Sequence, residues 1–454
     1  MAKVEGFDFF PLAFDGDGNL EKKAQLDAIA AHIASAGTTD FISIAHGFRN
    51  NEQEATALYT EFLKNLRAHL TRGELVSLPG RKFVVAGVFW PSKSFPEGPS
   101  EGDGGVQSAA TGSAAKERAA LEKQLKAWVA HDSTPAQKKA VAKVLRLLDD
   151  VTTDPAVQDD VVATLLAMAG RVPKTDDDGL SVIRSTPGRE VLESLKTPIR
   201  LKVAKRRKTD EGGVTSVRGG GGGAAGAGGV MSIGGAFKSA FGRIGQVLNM
   251  TTWYQMKSRS GTVGADGLAP AIRALKKKAP ALRVHVVGHS LGGRLAAACA
   301  KSLASAPTLQ PDSLTLLEAA FSHYGFSDNN GDGKPGFFRE VIARQVVKGP
   351  CVSTFSVQDT VVGRVYAIAS RLADDNTKAV GDENDTYGGI GRNGTQRTAE
   401  ATREVLHKAG TAYGSFRSGI VHNLDGSGGL IKDHGDVRNP DVTYAFASVV
   451  HQTP

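Results

Sequence analysis

Cysteine, proline and long apolar runs are all scarce in this chain. Its 454 residues include two cysteines, Cys299 and Cys351, which are too few and too far apart for a disulfide framework or a four-ligand zinc site. The 54 glycines follow no three-residue period and there are only 18 prolines, so a collagen-like chain is excluded. No stretch approaches the roughly 18 consecutive apolar residues that span a bilayer. The length instead suggests one large domain with an insertion, or two to three ordinary domains.

The start of the chain and its net charge bear on location and partners. Glu5 and Asp8 stand where a signal peptide would have its apolar run, so we expect a cytoplasmic protein. There are 55 Lys and Arg against 47 Asp and Glu, a formal net charge of +8. Spread over this length, the excess is a mild bias toward anionic surfaces, and we do not expect nucleic acid to be a partner.

Short apolar runs alternate with segments of helical character at both ends of the chain. The spacing predicts helices over 21–36 and 52–69, each followed by an apolar, partly β-branched run. Strands that alternate with helices are typical of the α/β class, in which a mostly parallel central sheet is flanked by helices. The predicted strands cover 41–45, 83–89, 284–287, 314–317 and 351–355.

A long segment of different composition separates the two patterned ends. Its first part predicts amphipathic helices rich in Ala, Lys and Leu, and its later part has a basic run and a tract made only of Gly and Ala. The tract satisfies the dinucleotide pattern G-x-G-x-x-G, but any such tract would and no strand precedes it, so a flexible linker is the better interpretation. The predicted helices cover 114–130, 135–148 and 159–169, the basic run 205–208 and the Gly/Ala tract 219–229.

A stripe of apolar residues follows the Gly/Ala tract. Apolar side chains recur at three- and four-residue intervals from Ile233 to Leu248, with Lys238 and Arg243 between them. Such a stripe is typical of a helix packed on the core, but it also fits a mobile lid or a helix that touches a membrane. Several glycines weaken this helix, so we expect it to form fully only when docked.

A serine lies between two glycines where a predicted strand gives way to a predicted helix. The segment 284–296 reads Val-His-Val-Val-Gly-His-Ser-Leu-Gly-Gly-Arg-Leu-Ala, with Gly288 and Gly292 two residues on either side of Ser290. A tight turn there would hold the hydroxyl at a helix N-terminus in a strained backbone, and a Cβ at either glycine would collide with a neighbouring strand or helix. The helix dipole and its free N–H groups favour a developing oxyanion. The segment resembles the nucleophile elbow of the α/β-hydrolase superfamily, specifically of its lipase and esterase members.

The resemblance implies that further parts follow a fixed order along the chain. In this superfamily an oxyanion donor lies in the loop after an early strand, and the sequence His-Gly-Phe-Arg-Asn follows the predicted strand 41–45 at once. The resemblance to the superfamily implies that the backbone N–H groups of Phe48 and Leu291 form the oxyanion hole. His46 is then a structural residue.

The resemblance also requires an acid and a base, in that order, after the serine. Asp359 follows the predicted strand 351–355 within four residues, where the superfamily's carboxylate usually emerges, and we predict it as the acid. His434 lies in a loop between a strand-like segment and a final helix over 440–450, which is where the superfamily's base is found.

Other acids and histidines compete for these roles. Asp374 and Asp375 lie past a helical stretch. His422 lies inside the strand-like segment, and His451 lies at the end of the chain. The run that contains Asp328 and Asp332 matches the first half of a calcium loop. However, Arg339 occupies the twelfth position, where a bidentate Glu is needed, so a polar surface turn is the better interpretation.

Taken together, the resemblance implies a serine hydrolase that cleaves a carboxylic ester of a small molecule or a lipid. Ser290 would attack the acyl carbonyl, His434 would take its proton and Asp359 would orient the imidazole, with no metal or organic cofactor. The insertion would act as a cap or lid and could contact a membrane surface. We expect the catalytic core to comprise 1–95 and 250–454 and the insertion 96–249.

Two other functions use the same fold. A catalytically silent protein could use the basic insertion to contact anionic lipid, nucleic acid or a protein partner, although intact candidates for every catalytic role argue against it. Acyl transfer to an acceptor other than water needs the same three residues, so the sequence leaves that reaction open.

Overall fold

The computed structural model of this chain describes residues 2–72, 78, 80–93, 113–130, 133–170, 178–197, 201, 239–373 and 383–454. Within these ranges nine strands form one sheet. The strands are β1 Ala2–Val4, β2 Phe7–Ala13, β3 Asp40–Ala45, β4 Phe83–Phe89, β5 Arg283–His289, β6 Ser313–Leu317, β7 Cys351–Phe355, β8 Ala401–Val405 and β9 Val421–Asp425.

The sheet is almost entirely parallel. Its order is β1-β2-β4-β3-β5-β6-β7-β9-β8, and every neighbouring pair is parallel except β1 with β2. Because the central strands are parallel, their carboxyl ends lie at one edge of the sheet. The predicted α/β class with a mostly parallel central sheet is therefore confirmed, and all five predicted strands are present.

Helices connect the strands. They are α1 Lys23–Ala36, α2 Glu52–Arg72, α3 Ala114–Ala130, α4 Pro135–Leu147, α5 Pro155–Ala167, α6 Leu180–Ser185, α7 Gly188–Ser194, α8 Ala240–Thr262, α9 Ala269–Lys278, α10 Leu291–Leu303, α11 Arg339–Ala343, α12 Thr360–Leu372, α13 Ile390–Asn393 and α14 Pro440–His451. A π-helical segment, Val263–Leu268, joins α8 to α9, and a short 3₁₀ helix covers Pro307–Leu309. None of the described helices is both long enough and apolar enough to cross a membrane.

Helices cover both faces of the sheet. Successive side chains of a strand point to opposite faces, and Val286 and Val287 of β5 accordingly belong to two different apolar clusters. The cluster around Val287 includes residues of α2 and α14, and the cluster around Val286 includes residues of α1, α8, α9 and α10. A sheet buried on both faces explains why its central strands read as continuous apolar runs.

The helices of the predicted insertion pack into the larger of the two clusters. Trp128 of α3, Val144 of α4 and Leu165 of α5 are all buried there. Helices α3, α5 and α7 contact α8, and α6 and α7 contact α12. Because α8 is one continuous helix, the predicted boundary between residues 249 and 250 falls inside it.

Part of the predicted pattern lies outside the described residues. This applies to the basic run 205–208, to the Gly/Ala tract 219–229 and to the start of the apolar stripe. The later members of the stripe, Phe241, Ile244 and Leu248, are buried within α8. Their burial agrees with the interpretation of this stripe as a helix packed on the core.

Candidate active site

Ser290 occupies a one-residue turn between β5 and α10. Its backbone has φ 57° and ψ −124°, a conformation that residues other than glycine rarely adopt. The turn is attached to the segment that follows β6: Ser290 N donates to the Leu317 carbonyl oxygen (3.1 Å), and Ala320 N donates to the Ser290 carbonyl oxygen (2.9 Å). The strained backbone is thus held in place by hydrogen bonds on both sides.

The glycines around Ser290 allow close approach of backbone to backbone. A Cβ on Gly288 would lie 2.1 Å from the Gly292 carbonyl oxygen, and a Cβ on Gly292 would lie 2.3 Å from the Ala45 carbonyl oxygen. Both distances are far below van der Waals contact, so neither position accepts a side chain. These are the collisions that the sequence predicts for the turn.

The structure brings the three predicted side chains together. His434 Nε2 lies 2.9 Å from Ser290 Oγ, and His434 Nδ1 lies 2.8 Å from Asp359 Oδ2. Asp359 is fully buried, Ser290 is 4% exposed and the His434 side chain is 14% exposed. A hydroxyl, an imidazole and a carboxylate from three distant parts of the chain therefore form one hydrogen-bonded line.

Asp359 is held by the helix that follows it. It lies in the loop after β7 and is the N-cap residue of α12, where its Oδ1 accepts a hydrogen bond from Val362 N at 2.9 Å. Because Oδ1 is used in the cap, Oδ2 is left to face His434. The same carboxylate thereby starts the helix and orients the imidazole.

His434 lies in the loop between β9 and α14, and His289 fixes the backbone of that loop. His289 Nε2 lies 2.7 Å from the His434 carbonyl oxygen, and the two ring centroids are 4.8 Å apart. Burial, and then the proximity of His434, hold the pKa of His289 well below its usual value. His289 is thus neutral and donates its Nε2–H to that carbonyl. His289 is not among the residues predicted from the sequence, although its position directly before the serine is a usable signal.

The loop after β3 approaches the serine closely. A Cβ on Gly47 would lie 2.8 Å from Ser290 Cβ, so only glycine fits there without movement. Phe48 follows Gly47. The backbone N–H of the next residue, Arg49, donates to the Ser92 carbonyl oxygen at 3.1 Å and holds the loop in place. Leu291 is the first residue of α10, where an N–H has no acceptor within the helix. The two predicted oxyanion donors therefore adjoin Gly47 and Ser290.

His46 is locked as a neutral residue behind this loop. Its Nδ1 lies 3.0 Å from the Gly47 carbonyl oxygen, and its Nε2 accepts from Trp90 N at 3.4 Å. Trp90 Nε1 also donates to the His46 carbonyl oxygen, and the two rings stack. Burial lowers the pKa of His46 to about 4, so Nδ1 carries the proton and donates it to Gly47. This agrees with the structural role expected for His46.

The competing residues lie elsewhere or outside the described ranges. His422 is on β9 and pairs with Glu404 at 2.7 Å, and His451 ends α14. Asp328 pairs with Arg339 in a surface turn in which the Asn329 side chain accepts two backbone hydrogen bonds. Asp374 and Asp375 fall among the residues that the structure does not describe.

A second carboxyl lies beside the imidazole. Glu318 directly follows β6, is fully buried, and its Oε2 is 3.8 Å from His434 Nδ1. Glu318 is not among the residues predicted from the sequence, although an acid directly after the predicted strand 314–317 is placed at the same sheet edge as Asp359. Its signal was weak because Leu314 to Glu318 reads as an ordinary strand end.

One comparison with known proteins matches the segment that contains Ser290. Residues 231–325 match the family described as Lipase (class 3). A crystal structure of an uncharacterized protein from Pseudomonas aeruginosa is 10% identical, with a TM-score of 0.24, over 98% of this chain and 52% of that one. This chain thus spans about half the length of that protein, and a TM-score this low establishes no shared fold. No curated protein sequence matches the chain.

The family match covers the elbow and supports a lipase- or esterase-like hydrolase in general. It includes β5, Ser290, α10 and β6, and it ends shortly after Glu318. The described sheet and helices have the layered arrangement that such a hydrolase requires. The sheet topology is that of an α/β-hydrolase fold, and residues 231–325 of this chain are similar to the class 3 lipases.

Proposed function

We propose that this protein is a serine hydrolase that cleaves carboxylic esters of lipids or other acyl compounds through an acyl-enzyme. The observation that carries the proposal is the hydrogen-bonded line from Ser290 Oγ through the His434 ring to the buried carboxylate of Asp359. This arrangement has the geometry of a nucleophile, its base and the group that orients the base.

In the first step, Ser290 Oγ attacks the acyl carbonyl carbon while His434 Nε2 takes the hydroxyl proton. Asp359 accepts a hydrogen bond from His434 Nδ1–H, which fixes the tautomer with a free Nε2 and stabilises the imidazolium that forms. The amides of Phe48 and Leu291 donate to the oxyanion of the tetrahedral intermediate. The imidazolium then gives its proton to the departing alcohol, and the acyl group stays on Ser290.

In the second step, water replaces the alcohol. His434 Nε2 takes a proton from the water as it attacks the acyl-enzyme, and the resulting imidazolium returns the proton to Ser290 Oγ. The product acid leaves and the resting enzyme is restored. Every proton in the cycle passes through one ring nitrogen, so the position of His434 controls both steps.

A fluorophosphonate probe tests this proposal directly. We expect the wild-type protein to be labelled at Ser290, and we expect Ser290→Ala and His434→Ala to show no labelling, as read by mass spectrometry of the intact protein. His422→Ala is the matched control because His422 pairs with Glu404 away from the serine. Labelling that persists in Ser290→Ala, or a folded wild-type protein that does not react, would contradict the proposal and favour a silent binding protein.

We also propose that the insertion forms part of the wall that covers the serine, and that the catalytic core comprises the rest of the chain. Two observations support this. Ser290 is 4% exposed, and the described part of the insertion docks on α12, the helix that Asp359 caps. Arg371 of α12 donates to the carbonyl oxygens of Ser194 and Thr197 at 2.7 Å each.

A buried ion pair makes the second connection between the insertion and the core. Asp178 pairs with Lys257 of α8 and accepts a hydrogen bond from the Tyr366 hydroxyl of α12 at 3.2 Å. Since α8 is continuous with the core, we place the end of the insertion before Ala240 and not at residue 249.

Loosening this docking is expected to change acyl-chain preference. Arg371→Gln should alter the ratio of kcat/KM for a dodecanoyl over a butanoyl p-nitrophenyl ester by about fivefold or more, because a shifted wall changes how many methylenes are buried. Arg403→Gln is the control, because Arg403 of β8 pairs with Glu383 and with Asp425 of β9. An unchanged ratio in a folded Arg371→Gln protein would show that the insertion does not line the acyl site.

A further inference from the structure

Glu318 is a buried carboxyl that the proposed mechanism leaves without a role. It has no exposed surface, and neither of its carboxyl oxygens has a hydrogen-bond partner among the described residues. Burying a polar group without hydrogen bonds costs free energy, so such a residue is uncommon in a folded core. The distance of 3.8 Å from Oε2 to His434 Nδ1 places it against the base of the candidate triad.

The backbone around Glu318 holds the carboxyl in that place. Glu318 has φ 42°, a positive value that non-glycine residues rarely adopt. Its N–H donates to the Thr354 carbonyl oxygen of β7 at 3.2 Å, and a Cβ on Gly391 would lie 2.5 Å from its carbonyl carbon. Strand β7 on one side and α13 on the other therefore fix the backbone of Glu318.

Burial and the neighbouring acids both act on the protonation of Glu318. Burial raises the pKa of the Glu318 carboxyl well above its usual value, and the charges of Asp359, Asp433 and Asp436 raise it further. Arg392 of α13 faces the same region, but its guanidinium is hydrogen-bonded to the backbone carbonyl oxygens of Val357 and Asp359. The site therefore favours the protonated, neutral form of the Glu318 carboxyl.

We propose that Glu318 is a positioning residue, a second acid that can accept the His434 Nδ1–H when the carboxylate of Asp359 is absent. The proposal rests on the proposed hydrolase function and deepens it. β6 and β7 are adjacent and parallel, with Leu317 paired to Thr354, so their carboxyl ends deliver two acids to one nitrogen. Glu318 Oε2 must move about 1 Å to reach hydrogen-bonding distance, which a small side-chain rotation supplies.

A comparison of one single variant with one double variant tests this role of Glu318. Asp359→Ala should retain a kcat/KM for a short p-nitrophenyl ester about 10²-fold above that of the double variant Asp359→Ala/Glu318→Gln, since the loss of all acid function typically costs about 10⁴-fold. The rate of Asp359→Ala should also rise with pH, because Glu318 must lose its proton before it can orient His434. The double variant should show a smaller rise with pH, because the step that depends on Glu318 is missing. If Glu318 had only a structural role, Asp359→Ala and the double variant would have the same pH profile.

The controls separate the possible failures. Both variants lack the cap on α12, so a loss of stability from Asp359→Ala is common to them, and thermal denaturation checks that each is folded. Asp359→Ala/Glu404→Gln removes the carboxylate of the His422 pair instead and should match Asp359→Ala. Equal rates and equal pH profiles in Asp359→Ala and Asp359→Ala/Glu318→Gln overturn the role of Glu318. If the wild type itself lacks Ser290-dependent hydrolysis, it is the proposed function that fails.

Discussion

Replacing Ser290 by alanine is expected to lower kcat for ester hydrolysis by about 10⁶-fold, to the level set by binding and the oxyanion donors alone. The reason is geometric. Without Oγ, the imidazole of His434 has no hydroxyl at 2.9 Å to deprotonate, and no acyl-enzyme can form. Steady-state kinetics with a p-nitrophenyl ester, with burst-phase measurement in the wild type, check the result.

The companion variants show whether the three residues act as a unit. His434→Ala should cost about as much as Ser290→Ala, and the double variant should be no worse than either single one, because each change already disables the same step. Additive losses would mean that the two side chains act independently and would count against the mechanism. Circular dichroism and thermal denaturation show that the variants are folded, which matters most at the strained turn of Ser290.

Much of the fold follows from the sequence because burial on both faces leaves a plain pattern. The predicted strands 83–89 and 351–355 match β4 and β7, and the turn at Ser290 is fixed by the glycines around it. A parallel strand that is covered on both sides must be apolar throughout, and a strand-to-helix turn of one residue needs glycine nearby. Both constraints determine which residue types occur at particular positions of the sequence.

The edges of the sheet are less readable. β2 contains Pro11, which cannot donate to a neighbouring strand and suggests a loop, yet it is tolerated because β2 pairs with the short β1 only at its start. β8 reads Ala-Thr-Arg-Glu-Val, with Val405 66% exposed, so it lacks an apolar pattern altogether. An edge strand is defined by its partner, and the partner does not appear in the local sequence.

The partners of the site residues are also hidden in the sequence. Ser290, Asp359 and His434 follow from a shared order along the chain, but Glu318 and His289 gain their importance from distances to His434 across the fold. The docking of the insertion on the core is hidden in the sequence in the same way. Amphipathic helices over 114–130 and 135–148 are evident, whereas their packing on α8 is a property of three-dimensional contacts.

A buried charge cluster at the opposite end of the sheet from Ser290 also escapes sequence reasoning. Asp40 starts β3 and His285 lies on β5, and both are fully buried. His285 Nε2 is 3.0 Å from Asp40 Oδ1, and Arg81 Nε donates to both Asp40 oxygens at 3.0 and 3.1 Å. Ser313 Oγ lies 2.7 Å from His285 Nδ1. The cluster connects three neighbouring strands, β3, β5 and β6, to Arg81, which lies two residues before β4.

The protonation states in this cluster follow from its geometry. Burial by itself would raise the pKa of Asp40, but hydrogen bonds from His285, Arg81 and Thr39 outweigh it and hold the pKa well below its usual value. Burial lowers the pKa of His285, against the opposing effect of Asp40. At neutral pH, Asp40 is therefore ionised and His285 is neutral, with Nε2–H donated to Asp40 and Nδ1 accepting from Ser313.

Asp40→Asn is accordingly expected to lower the free energy of unfolding at pH 7 by about 3–5 kcal/mol, because it leaves Arg81 beside a buried amide without its counter-charge. The contribution of a depressed carboxyl pKa is present above the unfolded value and is lost as pH falls through the folded one. The difference between wild type and variant should therefore narrow below about pH 4. Urea denaturation at a series of pH values measures it.

Asp8→Asn is the matched control, since Asp8 also lies on a strand and pairs with Lys3 and His32, but its side chain is 24% exposed. A half-exposed pair of that kind is worth about 1 kcal/mol or less. If Asp40→Asn costs no more than Asp8→Asn at pH 7, the cluster does not stabilise β3 against β5, and backbone hydrogen bonds with apolar packing are enough to hold the two strands. A large loss confined to Asp40→Asn would show that the charge cluster stabilises the two strands that position the site at their other end.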